Sequence, residues 1–162
     1  MATLVVGLGN ELLADEGVGV HVVRGLSAGQ LGSEVRVLEV GTRILDAASD
    51  IAEANRLIIV DAVRGGHPPG TVYRIPFEEC ARPGIIASMH GFDLSRVIAL
   101  AGGDPRLEAV VIGVEPALID WSTELSAAVE EALPTVFEAV ESECSACHRR
   151  AREARPLPRS AG

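Results

Sequence analysis

The sequence predicts a single three-layer α/β domain, in which a mainly parallel, twisted β-sheet carries helices on both faces. Short apolar runs alternate with helical segments along the chain, which is the pattern of consecutive β-α-β units. Two of these runs, residues 3–8 (TLVVGL) and 56–62 (RLIIVDA), are predominantly apolar and β-branched, as expected of buried strands. The length of 162 residues suits one hydrophobic core.

The first half of the chain supplies alternating strands and helices. A Gly/Asn/Asp-rich loop follows the first strand, and a helix is predicted over 17–26 from its spaced apolar residues. Residues 34–40 alternate polar and apolar positions like a half-buried strand, and 44–54 is predicted to be helical. The turn HPPG at 67–70 precedes a strand over 71–77, whose late proline indicates an edge of the sheet.

The second half repeats this alternation. A helix is predicted over 93–101, ending at two glycines, and LEAVVIGVE at 107–115 is predicted to be another core strand. Ser122 is a candidate N-cap for a long last helix, and Pro134 is expected to interrupt and kink that helix. The apolar face of the helix comprises Leu125, Val129, Leu133, Val136 and Val140.

One domain boundary is predicted near the C-terminus. Residues 1–144 form the α/β domain, whereas residues 145–162, rich in arginine and proline, are predicted to be a frayed helix end and a disordered tail. Without residues 149–162 the chain has nine arginines and 22 acidic residues, a net charge of −13. The folded body is therefore more acidic than the total of −9.

Composition excludes several classes of protein. A net charge of −9 argues against a general nucleic-acid binder, which needs a basic face. No apolar stretch reaches the roughly 18 residues of a membrane span, and the N-terminal residues lack the basic region of a signal peptide. We therefore expect a cytoplasmic protein without a membrane partner. Three cysteines, an odd number, make a disulfide framework improbable there.

Three residues are candidates for a metal site. Glu16 lies in the loop after the first strand, Asp61 ends the apolar run LIIVD, and His90 lies in the loop SMHGF. Ligands of parallel sheets bind at the carboxyl ends of the strands, and two carboxylates with one imidazole suit nickel or zinc. Each residue also has an ordinary interpretation, as a helix-terminal acid, a turn cap and a loop histidine. The sequence pattern is compatible with a shared metal site, but it does not show that the three side chains lie close together.

Six segments in order carry specific motifs: GLGNELLADEGVG (7–19), VGTR (40–43), IIVDAVRGGHPPGTVY (58–73), SMHGFDL (88–94), VIGVEP (111–116) and DWSTEL (120–125). The most specific is the first, with a G-x-G-N turn, a Leu-Leu spacer and Asp-Glu-Gly-x-Gly. Over roughly residues 3–140 this ordered set resembles the hydrogenase maturation proteases.

The resemblance implies an endopeptidase that removes a C-terminal extension from the nickel-loaded precursor of a nickel-iron hydrogenase large subunit. The family's nickel-binding acid, strand-end aspartate and histidine match Glu16, Asp61 and His90, which become both the metal ligands and the catalytic residues. Nickel would belong to the substrate as a recognition handle, so that no permanent cofactor is expected. The expected partner is the precursor, and the protein is expected to be a monomer. The sequence departs from the family at Glu39 and Val40, where an aspartate and a glycine usually precede the Gly-Thr pair.

The cleavage chemistry stays open at this point. The sequence has no Gly-x-Ser-x-Gly elbow and no His-Glu-x-x-His helix, and Cys80 lies in an acidic stretch without a base. Substrate-borne nickel would position the peptide and either polarise its carbonyl or activate a water. Alternatively, Asp15 or another unliganded carboxylate would act as general base.

Other functions fit the sequence less well. A non-enzymatic nickel or cobalt carrier would use the same three ligands, but the chain has no His-rich tract. A dinucleotide-binding turn would need a third glycine at the position of Leu12. Cys144, Cys147 and His148 match the C-x-x-C-H pattern of haem attachment, which we interpret as a chance match on a solvated helix end.

Overall fold

The computed structural model describes residues 2–26, 31–79, 86–87 and 107–153, with the backbone alone at 86–87 and 146–153. Within these ranges no helix is both long enough and apolar enough to cross a membrane. The strands are β1 (Thr3–Leu8), β2 (Val35–Gly41), β3 (Arg56–Arg64), β4 (Val72–Pro76), β5 (Ile86–Ala87) and β6 (Glu108–Val114), and the α-helices are α1 (Val18–Gly25), α2 (Ala48–Glu53) and α3 (Ala127–Glu153). The predicted helix over 93–101 lies outside the described residues.

The strands form one mixed sheet in the order β2-β1-β3-β6-β4, with the short β5 paired to β3. The three pairings among β2, β1, β3 and β6 are parallel, whereas β4 runs antiparallel to β6 and β5 antiparallel to β3. The predicted fold class is confirmed, including the edge position of the proline-containing strand. Pro76 ends β4, which among the described strands pairs with β6 alone, as expected of a proline-containing edge strand.

Both faces of the sheet are covered by helices. Successive side chains of a strand point to opposite faces, and β3 therefore contributes Ile58 and Val60 to one apolar cluster and Leu57 and Ile59 to the other. The first cluster includes buried residues of α1 and α3, and the second includes Ile51 of α2. An uninterrupted apolar run in β3 is the consequence of this two-sided burial.

Helix α1 lies unusually close to the sheet, because glycine occupies the point of contact. A Cβ on Gly19 would overlap the carbonyl oxygens of Val60 and Leu8, and it would lie 2.7 Å from the Leu8 nitrogen. A Cβ on Gly7 would lie 2.7 Å from Cγ2 of Val23 and would also meet the Gly19 carbonyl. The two glycines thus hold the start of α1 against the carboxyl ends of β1 and β3.

The last helix begins later and continues further than the sequence predicts. It starts at Ala127, and the hydroxyl of Ser126 accepts a hydrogen bond from Val129 N–H at 3.4 Å in the N-cap position. Ser122 was the wrong choice of cap, because its backbone pairs with Leu13 in an isolated bridge. The helix is also not interrupted by Pro134.

Helix α3 continues to Glu153 and so crosses the predicted domain boundary at residue 144. Cys144 is 1% exposed and packs in the first apolar cluster. It therefore does not lie on a solvated helix end, and its burial argues for a structural role. The side chains of Cys147 and His148, and residues 154–162, lie outside the described residues.

An ionic network fastens α3 to the amino edge of the sheet. Arg56, the buried first residue of β3, donates hydrogen bonds to Glu108 at 2.5 Å and to the buried Glu143 of α3. Arg74 of β4 donates a second hydrogen bond to Glu143 at 2.5 Å. Burial alone would raise the pKa of Glu143, but the hydrogen bonds and charges of Arg74 and Arg56 outweigh it and hold the pKa below its ordinary value.

Replacing Gly19 by alanine tests the close approach of α1. Alanine normally stabilises a helix by about 1 kcal/mol relative to glycine. Here we expect a loss of at least about 2 kcal/mol, because the new methyl group overlaps two backbone carbonyls. Urea denaturation measures the change, with Ser49→Ala at an exposed position of α2 as the control. A Gly19→Ala protein as stable as the wild type would contradict the packing described.

Replacing Glu143 by glutamine tests the ionic network. The pKa of Glu143 is lowered in the folded protein, so its ionised form contributes stability above the unfolded value near 4.5, and the contribution is lost as the pH falls through the folded-state pKa. At pH 7 we expect Glu143→Gln to lose about 3 kcal/mol, because the buried Arg56 loses the buried one of its two carboxylate partners and keeps only the half-exposed Glu108. The difference from wild type should shrink below pH 4.5.

Urea denaturation of the wild type and Glu143→Gln between pH 3 and pH 8 measures how the difference in the free energy of unfolding depends on pH. Glu138→Gln is the control. Glu138 is exposed on the same helix, so its variant should follow the wild type at every pH. A constant difference for Glu143→Gln across the range would rule out the ionic contribution.

Candidate functional site

Glu16 lies on a tightly folded loop directly after β1. The Asn10 side chain accepts a hydrogen bond from Leu12 N–H at 3.0 Å, and the backbone then forms a 3-10 turn over Ala14–Gly17. Gly9 has φ of 120°, and a Cβ there would overlap the Glu16 carbonyl oxygen. The loop is thus folded back on itself, and it leaves Glu16 half-buried at the carboxyl end of β1.

Asp61 lies in β3, the neighbour of β1. The β1–β3 pairing ends at Gly7 and Val60, so Asp61 is the first residue of β3 beyond it. Its side chain is buried, and Oδ1 accepts a hydrogen bond from Ala62 N–H at 2.8 Å. The strand continues to Arg64, and Asp61 therefore does not end it as the apolar run predicted. Glu16, on the loop after β1, and Asp61, in the neighbouring strand β3, both lie at the carboxyl edge of the sheet.

The third candidate, His90, lies outside the described residues, as does Cys80. Among residues 2–26, 31–79, 86–87 and 107–153, no three His, Cys, Asp or Glu side chains are grouped in a way that would hold a metal ion. The proposed set of Glu16, Asp61 and His90 stays a prediction.

Asp15 joins the first loop to the loop that precedes α3. The carboxylate is fully buried and accepts hydrogen bonds from the N–H groups of Ala117 and Leu118 at 2.8 Å and of Ser126 at 2.7 Å. The Ser126 hydroxyl donates a fourth hydrogen bond at 2.8 Å. Backbone bonds run beside it, including Ala14 N–H to the Ser122 carbonyl at 2.7 Å. We call this arrangement the Asp15 clamp.

The Asp15 clamp argues against Asp15 as a general base. Three donors reach Oδ2 and one reaches Oδ1, and the carboxylate is fully buried among these partners. Sequence inspection missed this role, because the residues that Asp15 binds lie more than 100 positions away. The only local signal was an aspartate directly beside the proposed ligand Glu16.

The unusual Glu39 takes part in an ion pair across the first loop. Arg24 of α1 donates hydrogen bonds to both carboxylate oxygens of Glu39, at 2.8 Å and 2.6 Å, and to Glu11 at 2.5 Å. The hydrogen bond from Arg24 outweighs burial and lowers the pKa of Glu39. Val40, the second departure, packs against the apolar cluster on the α2 face. Both residues are therefore accommodated by local contacts.

An open cleft of about 600 Å³ lies between the first loop and the Gly-Thr loop. Its walls come from residues 9–12, 38–43 and 46–50. The cleft adjoins the loop that carries Glu16, and its lining includes the carboxylates of Glu11 and Glu39 that bind Arg24.

Glu115 fixes the connection that follows Asp61. Its buried carboxylate accepts hydrogen bonds from Gly65 N–H at 2.8 Å and from the Tyr73 hydroxyl at 2.5 Å. Burial raises the pKa of Glu115, but the bonds from Tyr73 and the backbone of the turn hold it below its ordinary value. The turn between β3 and β4 is thereby held against the carboxyl end of β6.

Replacing Asp15 by asparagine tests the clamp. The amide group turns a donor toward N–H groups that need an acceptor, so we expect a loss of about 2–4 kcal/mol in the free energy of unfolding. Urea denaturation at neutral pH measures it. Glu16→Gln is the matched control, since the neighbouring Glu16 is only half-buried and the substitution should change stability by less than about 0.5 kcal/mol. Equal stability of the two variants would contradict a structural role of Asp15.

Related proteins give the family. Residues 20–143 match the family model described as hydrogenase maturation protease. The chain is 35% identical over 141 residues to the hydrogenase expression/formation protein HupD of Thiocapsa roseopersicina, covering 83% of this chain and 64% of that protein. It is 32% identical over 148 residues to the hydrogenase 2 maturation protease of Escherichia coli K12, covering 86% of this chain and 88% of that protein.

Solved structures agree with this relationship. The hydrogenase maturating endopeptidase HybD of Escherichia coli superimposes with a TM-score of 0.77 at 28% identity, covering 91% of this chain and 94% of that one. The [NiFe] hydrogenase maturation protease HybD of Thermococcus kodakarensis gives a TM-score of 0.76 at 31% identity, covering 89% and 99%. With a matching family model over residues 20–143 and relatives above 30% identity, this chain belongs to the hydrogenase maturation protease family.

Proposed function

We propose that this protein is an endopeptidase that removes a C-terminal extension from the nickel-loaded precursor of a nickel-iron hydrogenase large subunit. Family membership supplies the reaction class. The observation that carries the proposal is the position of Glu16 and Asp61 at the carboxyl edge of two neighbouring parallel strands. Ligands of open α/β sheets bind at this edge.

The path of the chain supports His90 as the third ligand. Ala87 pairs with Val63, two residues beyond Asp61 in β3. His90 follows Ala87 by three residues, and three residues span at most about 11 Å. His90 is therefore only three residues along the chain from a residue that pairs with the strand carrying Asp61.

In this proposal nickel arrives with the substrate, and the chain carries no permanent metal of its own. Two carboxylates and one imidazole are donors that a borderline divalent ion accepts, and three ligands leave positions for groups of the precursor. Binding the substrate's nickel would fix the scissile peptide beside the site, so that a nickel-loaded precursor is distinguished from one without nickel. Proximity of this kind contributes several kcal/mol to a reaction barrier.

The attacking group is proposed to be water. Asp15 is fully engaged in its four hydrogen bonds, which leaves the metal or another carboxylate of the site to activate the water. Hydrolysis then adds the water across one peptide bond and releases the C-terminal extension with a free amino group.

Cleavage of nickel-loaded and nickel-free precursor, followed by intact mass, tests the function. We expect the wild type to release the extension from the nickel-loaded form only. Glu16→Gln should lower the rate at least about 100-fold, because the amide loses the negative charge that would bind the metal. Glu130→Gln, at an exposed position of α3, is the control and should retain the wild-type rate.

Three outcomes would change the proposal. Full activity of Glu16→Gln would remove the role of Glu16. Cleavage of both precursor forms would leave a protease without nickel recognition. Tight nickel binding without cleavage of any cognate precursor would favour the carrier function instead.

A further inference from the structure

The two loops joined by the Asp15 clamp carry an exposed cluster of apolar side chains. The described residues include five exposed large apolar side chains, and four of them lie on these loops. We call these four the apolar patch: Leu12 is 49% exposed, Leu118 47%, Ile119 38% and Trp121 78%. Isolated exposed apolar residues are ordinary, but a group of this kind marks an interaction surface.

The backbone brings the members of the patch together. Ser122 N–H, directly after Trp121, donates to the Leu12 carbonyl at 3.1 Å. Asp15 N–H donates to the Leu118 carbonyl at 3.2 Å. The patch is therefore one surface built from two segments that lie more than 100 residues apart in the sequence.

Hydrogen bonds fix the backbone of the loop that carries the exposed apolar side chains. Asp15 binds the N–H groups of Ala117 and Leu118. The Asp120 carboxylate accepts a hydrogen bond from Trp121 N–H at 2.7 Å. The loop is thus fixed before any partner arrives, which lowers the entropic cost of association.

We propose that the apolar patch is the docking surface for the hydrogenase large-subunit precursor, and that it receives an apolar segment flanked by basic side chains. This inference rests on the function proposed above. The patch is continuous with the proposed site, because Leu12 and Glu16 belong to the same loop and Asp15 holds that loop to the one bearing Trp121. A precursor that binds at Glu16 therefore approaches the same pair of loops that bears the patch.

Acidic side chains near the apolar patch indicate which charge the flanks of the partner segment carry. Residues 116–126 contain two acidic residues and no arginine or histidine. Asp120 and Glu124 are exposed beside Trp121. Basic side chains around an apolar centre would complement this surface, with the indole of Trp121 as the dominant contact, since tryptophan is enriched among residues that dominate binding energy.

Steady-state cleavage of the nickel-loaded precursor tests the patch. Trp121→Ser should raise KM at least about tenfold and leave kcat within about twofold, because binding rather than chemistry is weakened. Leu12→Ser, on the other loop, should act in the same direction. The control is Glu130→Gln, since Glu130 is exposed on α3 and belongs to neither loop. Unchanged thermal midpoints confirm that each variant is folded.

A binding measurement separates docking from catalysis. The Glu16→Gln protein, with and without Trp121→Ser, is titrated with the nickel-loaded precursor by calorimetry. We expect the second substitution to weaken binding at least about tenfold. Equal affinities and equal KM values would overturn the docking surface while leaving the proposed protease intact.

Two further outcomes would overturn the proposed docking surface. A wild type that neither cleaves nor binds the precursor would overturn both the protease and its docking surface. A wild-type dimer in sedimentation analysis that Trp121→Ser converts to monomer would overturn the precursor as occupant, because the patch would then bind a second copy of this chain.

Discussion

The buried carboxylate of Asp15 is the interaction on which the arrangement of the carboxyl edge depends. It accepts four hydrogen bonds from residues that follow β6, and it precedes Glu16 directly in the chain. Two loops that are remote in sequence consequently behave as one unit. The position of Glu16, the start of α3 and the orientation of the exposed apolar side chains all follow from that single group.

The two edges of the sheet divide structural and chemical tasks. At the amino edge Arg56 binds Glu108 and Glu143 and so fastens the last helix. At the carboxyl edge Glu16 is left half-buried. Stability supplied at the far edge allows acidic groups to accumulate near the site, although like charges there repel one another.

Local patterns in the sequence were sufficient for the buried strands β1 and β3 and for the loop position of Glu16 after β1. The apolar runs predicted β1 and β3, and the proline near residue 76 predicted the edge strand. Features that depend on distant partners were not predictable. Ser122 has the chemistry of an N-cap, but its backbone pairs with Leu13 instead. Cys144 is buried within the last helix because that helix continues to Glu153 and packs on the sheet.

The clamp also has a kinetic consequence for the surface loop that follows β6. The amides of Ala117 and Leu118 point at a buried carboxylate rather than at water. They can exchange hydrogen with solvent only when the first loop separates from this one. The side chains of this segment are exposed to solvent, whereas its backbone amides are protected from hydrogen exchange. The two loops should therefore open together as one cooperative unit.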